Sequence, residues 1–182
     1  MPALTLGSDM PDFALEEPAT RKTIAAKSLE PQSPMVVVFT QNHCPHAQAW
    51  EERLLQIARD YEGRSAMVFI SSSDPEQHQI NGPDGIADRA RERKYPVPYL
   101  YDADQSVAHA FGAVRTPDVF VFDGGHLVYH GTVDDNQEEP DQVRVNYVRA
   151  ALDAVLSGDE VAIPETALMG CGIKWKPGNA PA

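Results

Sequence analysis

The sequence predicts an α/β sandwich: a mixed sheet with helices on both faces. Three observations carry that reading. Met35-Val36-Val37-Val38-Phe39-Thr40 is β-branched and apolar on both faces, as a central strand covered from both sides would be. Directly after it the period changes, with Ala47, Trp50, Leu54, Ile57 and Tyr61 recurring at three- and four-residue intervals, the stripe of an amphipathic helix. Strand and helix patterns then alternate and close on a hairpin, giving the order β-α-β-α-β-α-β-β-α with parallel crossovers early and an antiparallel pair late.

Taken along the chain, Phe13 to Glu16 and Thr23 to Ala26 are short, turn-flanked segments that predict an N-terminal hairpin. The helix carrying the Ala47 stripe ends near Gly63, and Ala66 to Ser71 is a second buried strand. Pro75, Gly82, Pro83 and Gly85 break order before a helix expected from Ile86 to Lys94. Tyr99 to Tyr101 is a short strand, and Ser106 to Phe111 a short helix stopped at Gly112. Val119 to Phe122, the turn Asp123-Gly124-Gly125, and Leu127 to His130 form the late hairpin. A last helix from about Gln142 to Leu156 carries Val148, Ala151, Leu152 and Val155 on one face. The only composition shift is the Pro- and Gly-rich stretch after Gly158. Residues 1–160 are therefore expected to form one domain with its N-terminal hairpin, and residues 161–182 a tail packed on it that carries Cys171.

Composition excludes several function classes. The 182 residues hold 15 basic and 27 acidic side chains, a net charge of −12 that repels phosphate backbones and anionic lipid, so neither nucleic acid nor membrane is an expected partner. The acidic stretch from Asp134 to Asp141 reads as a solvated loop. No apolar run is long enough to span a bilayer, and Met1-Pro2-Ala3-Leu4 lacks the basic and apolar parts of a secretory signal; the cytoplasm is the expected compartment. Two cysteines are too few for a secreted disulfide scaffold.

Cys44 stands at the strand-to-helix junction in Thr40-Gln41-Asn42-His43-Cys44-Pro45-His46-Ala47. Pro45 suits the first helical position, where its missing N–H is no loss. The unsatisfied N–H groups and positive dipole end of the helix would then favour thiolate over thiol, and His43 and His46 would help if protonated. A thiolate is the nucleophile of disulfide exchange and of attack on peroxide. The bland alternative is a small core residue, since unpaired Cys is among the most buried types. Arg115-Thr116-Pro117, directly before the late hairpin, is the second feature; a proline in such a bend can be cis. Cys171 lies between Gly170 and Gly172, which suits close backbone approach and an accessible sulfur, against the alternative of a tail residue without redox role.

A helix-start cysteine paired with a Thr-Pro turn resembles the thioredoxin fold, in which a cis-proline turn packs against the active cysteine. Asn42-His43-Cys44-Pro45, Thr116-Pro117-Asp118, Phe122-Asp123 and the tail Gly170-Cys171-Gly172-Ile173-Lys174-Trp175-Lys176-Pro177-Gly178-Asn179 are similar to the redoxin, or peroxiredoxin-like, branch of the alkyl hydroperoxide reductase/thiol-specific antioxidant superfamily, over nearly the whole chain. Three departures bear on activity. The thioredoxin Cys-x-x-Cys is Cys44-Pro45-His46-Ala47 here, without the second sulfur. Peroxiredoxins place a Thr three residues before the peroxidatic cysteine, where this chain has Gln41, and by alignment their cysteine falls at Ala47. Relatives often carry Cys directly before Thr-Pro; Arg115 rules out a disulfide across that turn and puts a permanent cation near the thiolate.

The resemblance implies a thiol–disulfide oxidoreductase with Cys44 attacking disulfides or sulfenic acids and Cys171 as candidate resolving thiol. His43, Pro45, His46, Arg115, Thr116 and Pro117 would form the substrate groove and thiolate environment. Its partners would be protein or small-molecule thiols and disulfides. The alternatives are a thiol peroxidase with an antioxidant role, and a non-catalytic protein- or metal-binding module on the same scaffold. No cofactor is expected and no metal site is assigned, because His43, His46 and Cys171 match no standard ligand spacing. His78, His109, His126 and His130 are read as surface or satisfied core residues, Trp50 as packing, and Trp175 as a cap or anchor for the tail.

Overall fold

In the computed structural model, residues 4–29 and 34–181 are described. Met1, Pro2 and Ala3, part of the stretch read for a signal peptide, lie outside the described residues, as does Ala182 at the end of the tail. Strand β1 (Ala14–Glu17) and β2 (Lys22–Ala25) form a hairpin, followed by one helical turn, α1 (Ala26–Leu29). Then come β3 (Met35–Phe39), α2 (Pro45–Asp60), β4 (Ala66–Ser71), α3 (Pro83–Glu92), β5 (Tyr99–Tyr101) and α4 (Ser106–Phe111). The chain continues through β6 (Arg115–Thr116), β7 (Asp118–Asp123), β8 (His126–Gly131) and α5 (Tyr147–Ser157), and closes with β9 (Cys171–Gly172).

The main sheet runs β2-β1-β5-β4-β3-β7-β8. β3 pairs in parallel with β4, Met35 opposite Ala66 and Phe39 opposite Ile70, and β4 in parallel with β5. On its other side β3 meets β7 antiparallel, so that Phe39 stands opposite Asp118. This mixed pattern is the predicted one. The N-terminal hairpin is more than an appendage: Glu16 pairs with Tyr101 and the hairpin extends the sheet past β5.

Alternate residues of the central strands feed two cores. Val36, Val38, Phe69, Val119 and Val121 pack against Trp50, Leu54 and Ile57 of α2, Ile86 of α3, and Val148, Ala151 and Leu152 of α5. Val37, Phe39, Ile70, Phe120 and Phe122 face Phe13, Phe111 of α4 and Ile173 of the tail. A strand buried on both faces has no polar side to show, so its sequence is continuously apolar. Each fully buried Val or Phe contributes roughly 1.5–3 kcal/mol over leaving it in water.

Three local expectations are corrected. α3 begins at Pro83, because Gly85 is a packing residue and no breaker: a Cβ there would stand 2.3 Å from the Ile80 carbonyl oxygen. α5 begins at Tyr147, capped by the Asn146 side chain, which accepts the Arg149 N–H at 3.0 Å; Pro140–Gln142 is a separate short turn. Asp134 is not solvated. Its side chain is 0% exposed, accepts the Trp50 indole N–H at 2.8 Å and pairs with Arg53 at 2.7 Å. Among the described residues no helix is long and apolar enough to cross a membrane.

Candidate active site

Cys44 is the N-cap of α2, with φ −77° and ψ 117°, and Pro45 takes the first helical position. The Cys44 sulfur sits where the orphan N–H groups of the first turn converge and accepts the Ala47 N–H at 3.4 Å. As a thiol it donates to the Thr116 carbonyl oxygen at 3.2 Å, and Thr116-Pro117 is a cis peptide. The two features that lie 72 residues apart in the sequence are therefore in contact.

Cys171 completes the arrangement. β9 pairs antiparallel with β6, Cys171 opposite Thr116 and Gly172 opposite Arg115. This brings the Cys171 thiol within hydrogen-bonding reach of the Cys44 sulfur, and both cysteines are free. Burial pushes the Cys44 thiol up, but the hydrogen bonds from the Cys171 thiol, the Ala47 N–H, the Thr116 hydroxyl and the Cys171 N–H outweigh it, so its pKa falls below the ordinary thiol value. The Thr116 hydroxyl is buried and has no other hydrogen-bond partner among the described residues. Cys171 moves the other way, raised by burial and by the bond it makes to Cys44, with the His46 backbone N–H opposing. Of the two sulfurs, Cys44 is therefore the one that ionises first.

The tail is fastened on both sides of Cys171. Upstream, His130 N–H donates to the Pro164 carbonyl at 3.0 Å and Thr166 N–H to the His130 carbonyl at 3.1 Å. Downstream, Ile173 N–H donates to the Val114 carbonyl at 3.0 Å, and the Asp74 N–H to that of Lys174 at 2.7 Å. Gln105 Nε2 also donates to the Lys174 carbonyl, at 2.9 Å, and Asn179 accepts from His109 at 2.6 Å. Gly170 is required at the crossing, since a Cβ would stand 2.1 Å from the Thr116 carbonyl oxygen. Beneath the tail Cys44 is 0% exposed. Exposure alone would suit an inert core residue; the converging donors and the second sulfur do not.

The other expected residues divide. His46 borders the pair through its backbone N–H, while its ring is hydrogen-bonded to Gln137. His43 turns to Asn81, 2.8 Å away, and stacks on His78. Burial lowers its pKa, so it is neutral at neutral pH and does not assist the thiolate. Arg115 is a correction: its guanidinium is exposed and donates to the Gly170 carbonyl at 3.0 Å, so it clamps the tail, and hydrogen bonds rather than this cation lower Cys44. Trp175 packs against His109 with ring centres 4.7 Å apart and anchors the tail. Among the described residues no group of His, Cys, Asp and Glu is placed to hold a metal ion.

Sequence reasoning missed the polar floor. Gln41 is 1% exposed, donates to the Gly172 carbonyl at 3.2 Å and accepts from Ser73. Asn42 accepts from the Tyr99 hydroxyl at 2.9 Å and donates to the Gly85 carbonyl at 3.1 Å. Asp118, directly after the cis proline, is 0% exposed, its side chain is bonded among the described residues to His130, and burial raises its pKa. A polar triplet Thr-Gln-Asn closing an apolar strand was the one available signal.

The model of the AhpC/TSA family matches residues 6–130. An uncharacterized conserved protein of Geobacillus kaustophilus is similar at 36% identity over 98% of both chains, with a TM-score of 0.89. A hypothetical protein of Sinorhizobium meliloti is similar at 35% identity, covering 97% of this chain and 98% of that one, also with a TM-score of 0.89. A peroxidoxin of Mycobacterium tuberculosis shares 22% identity over 84% of this chain and 94% of its own, with a TM-score of 0.58, a likeness of fold. None of the curated proteins matches the sequence. The fold is thioredoxin-like.

Proposed function

Because this chain belongs to the AhpC/TSA family and is a redoxin-type thiol oxidoreductase or peroxidase, we propose that it is a thiol–disulfide oxidoreductase whose working couple is Cys44 with Cys171. The observation that supports this is the meeting of the two sulfurs in the cis-proline bend at the start of α2. In the reduced form Cys44 is the sulfur that ionises first. Its thiolate attacks a substrate disulfide, bonding one sulfur and releasing the other as a thiolate. Cys171 then attacks the Cys44 sulfur of that mixed disulfide, its proton passing to the departing substrate thiolate, and the Cys44–Cys171 disulfide forms. When a thiolate attacks this disulfide at Cys171, Cys44 is the better leaving group because its thiolate is the stabilised one. The cytoplasm, a reducing compartment, suits a couple that must return to the dithiol.

A peroxidase needs donors aimed at the oxygen–oxygen bond. Gln41 stands where the Thr would be and is committed to Ser73 and Gly172, and Arg115 is committed to Gly170. Reaction of the reduced protein with a model aromatic disulfide is expected to outpace that of free cysteine, to yield the Cys44–Cys171 disulfide by peptide mass spectrometry, and to be lost in Cys44→Ser. Exchange that survives Cys44→Ser refutes the reading, and fast consumption of hydrogen peroxide that Cys44→Ser abolishes makes the protein a peroxidase.

A further inference from the structure

Cys44 has no surface of its own, while Cys171, laid over it, is part-exposed. The edge of β6, to which an extended polypeptide could add as a strand, is already taken by β9. A small molecule needs no such edge. Beside the pair a cleft of about 530 Å³ opens between the start of α2, the loop after β8 and the tail, with His46, Thr132, Asp135, Glu138, Tyr147 and Met169 among its walls. That volume is typical of a small-ligand site. His46 belongs to both features, lining the cleft and giving its backbone N–H to the Cys171 sulfur.

Thr132, one of the lining residues, is only 5% exposed, and its buried hydroxyl has no hydrogen-bond partner among the described residues. A buried polar group left unpaired is costly, and a ligand atom would satisfy it. The charge of the cleft is negative. Asp134 is answered by Arg53, but Asp135 and Glu138 are exposed carboxylates, and the Arg144 backbone N–H at 3.0 Å holds the Asp135 carboxyl low. Such walls attract an ammonium group and repel a carboxylate.

Resting on the Cys44/Cys171 couple proposed above, we propose that its reductant is a low-molecular-weight thiol bearing an ammonium group, which docks in this cleft and attacks Cys171 rather than Cys44. The donor thiolate bonds to the Cys171 sulfur, the bond to Cys44 breaks, and Cys44 leaves with the electron pair as the thiolate that its hydrogen bonds stabilise. A second donor thiolate then attacks the donor sulfur of the mixed disulfide. The donor disulfide departs, Cys171 takes up one proton, and the other goes to solvent. Two donor thiols are oxidised to one disulfide as the protein disulfide is reduced.

The test starts from full-length protein oxidised with diamide, with the Cys44–Cys171 disulfide confirmed by peptide mapping. Its reduction by cysteamine, 2-mercaptoethanol and 3-mercaptopropionate is timed at equal thiolate concentration and low salt. Cysteamine should be faster than the neutral thiol by about fivefold or more, and the anionic thiol slower, with the spread collapsing at high salt and in Asp135→Asn/Glu138→Gln. Acid-quenched wild type should carry the cysteamine adduct on Cys171. An adduct on Cys44, or rates indifferent to thiol charge, overturns the proposal alone. Failure of the Cys44–Cys171 disulfide to form overturns the couple and this proposal with it.

Discussion

Gly170→Ala isolates the tail strand as the cover of Cys44. The added methyl would stand 2.1 Å from the Thr116 carbonyl oxygen and 2.7 Å from its carbon, both backbone atoms that cannot swing aside. β9 must therefore move off β6. The hydrogen bonds at risk are Ile173 to Val114, Gln41 to Gly172 and Arg115 to Gly170. At about 1 kcal/mol each their loss amounts to about 3 kcal/mol, or roughly a hundredfold more open tail. The assay is alkylation of reduced protein by iodoacetamide, with both cysteines followed by peptide mapping at a pH above the thiol range, so that thiolate fraction does not limit the rate. Cys44 labelling should rise by roughly ten- to a hundredfold while Cys171, already part-exposed, changes little. A folded Gly170→Ala protein in which Cys44 labels as slowly as in wild type refutes the tail as the cover.

The opposite shifts of the two cysteines give a pH signature. Cys44 is lowered, so its ionisation contributes stability that is present above the unfolded thiol value and lost as pH falls through the folded one. Cys171 is raised, so its contribution is present below the unfolded thiol value and lost as pH rises toward the folded one. Thermal melts should show stability rising with pH up to the ordinary thiol range and falling above it, and Cys44→Ala should abolish the rise. Arg53→Ala leaves the Asp134 carboxylate, 0% exposed, without its cation, and should destabilise by about 3–5 kcal/mol in urea unfolding. Arg59→Ala removes an exposed pair to Glu52 and should change stability by no more than about 0.5 kcal/mol. Equal effects of the two substitutions would contradict the burial assigned to Asp134.

Local chemistry was enough to read β3, β4, β5, α4 and the late hairpin, because a strand's apolar pattern and a helix's stripe and stop are written in neighbouring residues. The same holds for Cys44 as the cap of α2, since Pro45 and the stripe that follows define the helix start. Boundaries failed where a tertiary contact replaced a local signal: Gly85 reads as a breaker, yet its missing side chain makes room for the Ile80 carbonyl. Asp134 reads as solvated, and only folding brings it to Trp50 and Arg53. The Thr-Pro turn and the tail cysteine were legible as motifs because their residue types are rare and chemically pointed. Their meeting was not. Pairing of β6 with β9 rests on backbone hydrogen bonds that any sequence can make, and on a glycine whose role shows only against the Thr116 carbonyl. Arg115 shows the same limit: its sequence position beside the turn says nothing of direction, and the folded chain turns its guanidinium to Gly170. Which sulfur is buried, which is reachable, and which carries the charge are properties of that long-range packing.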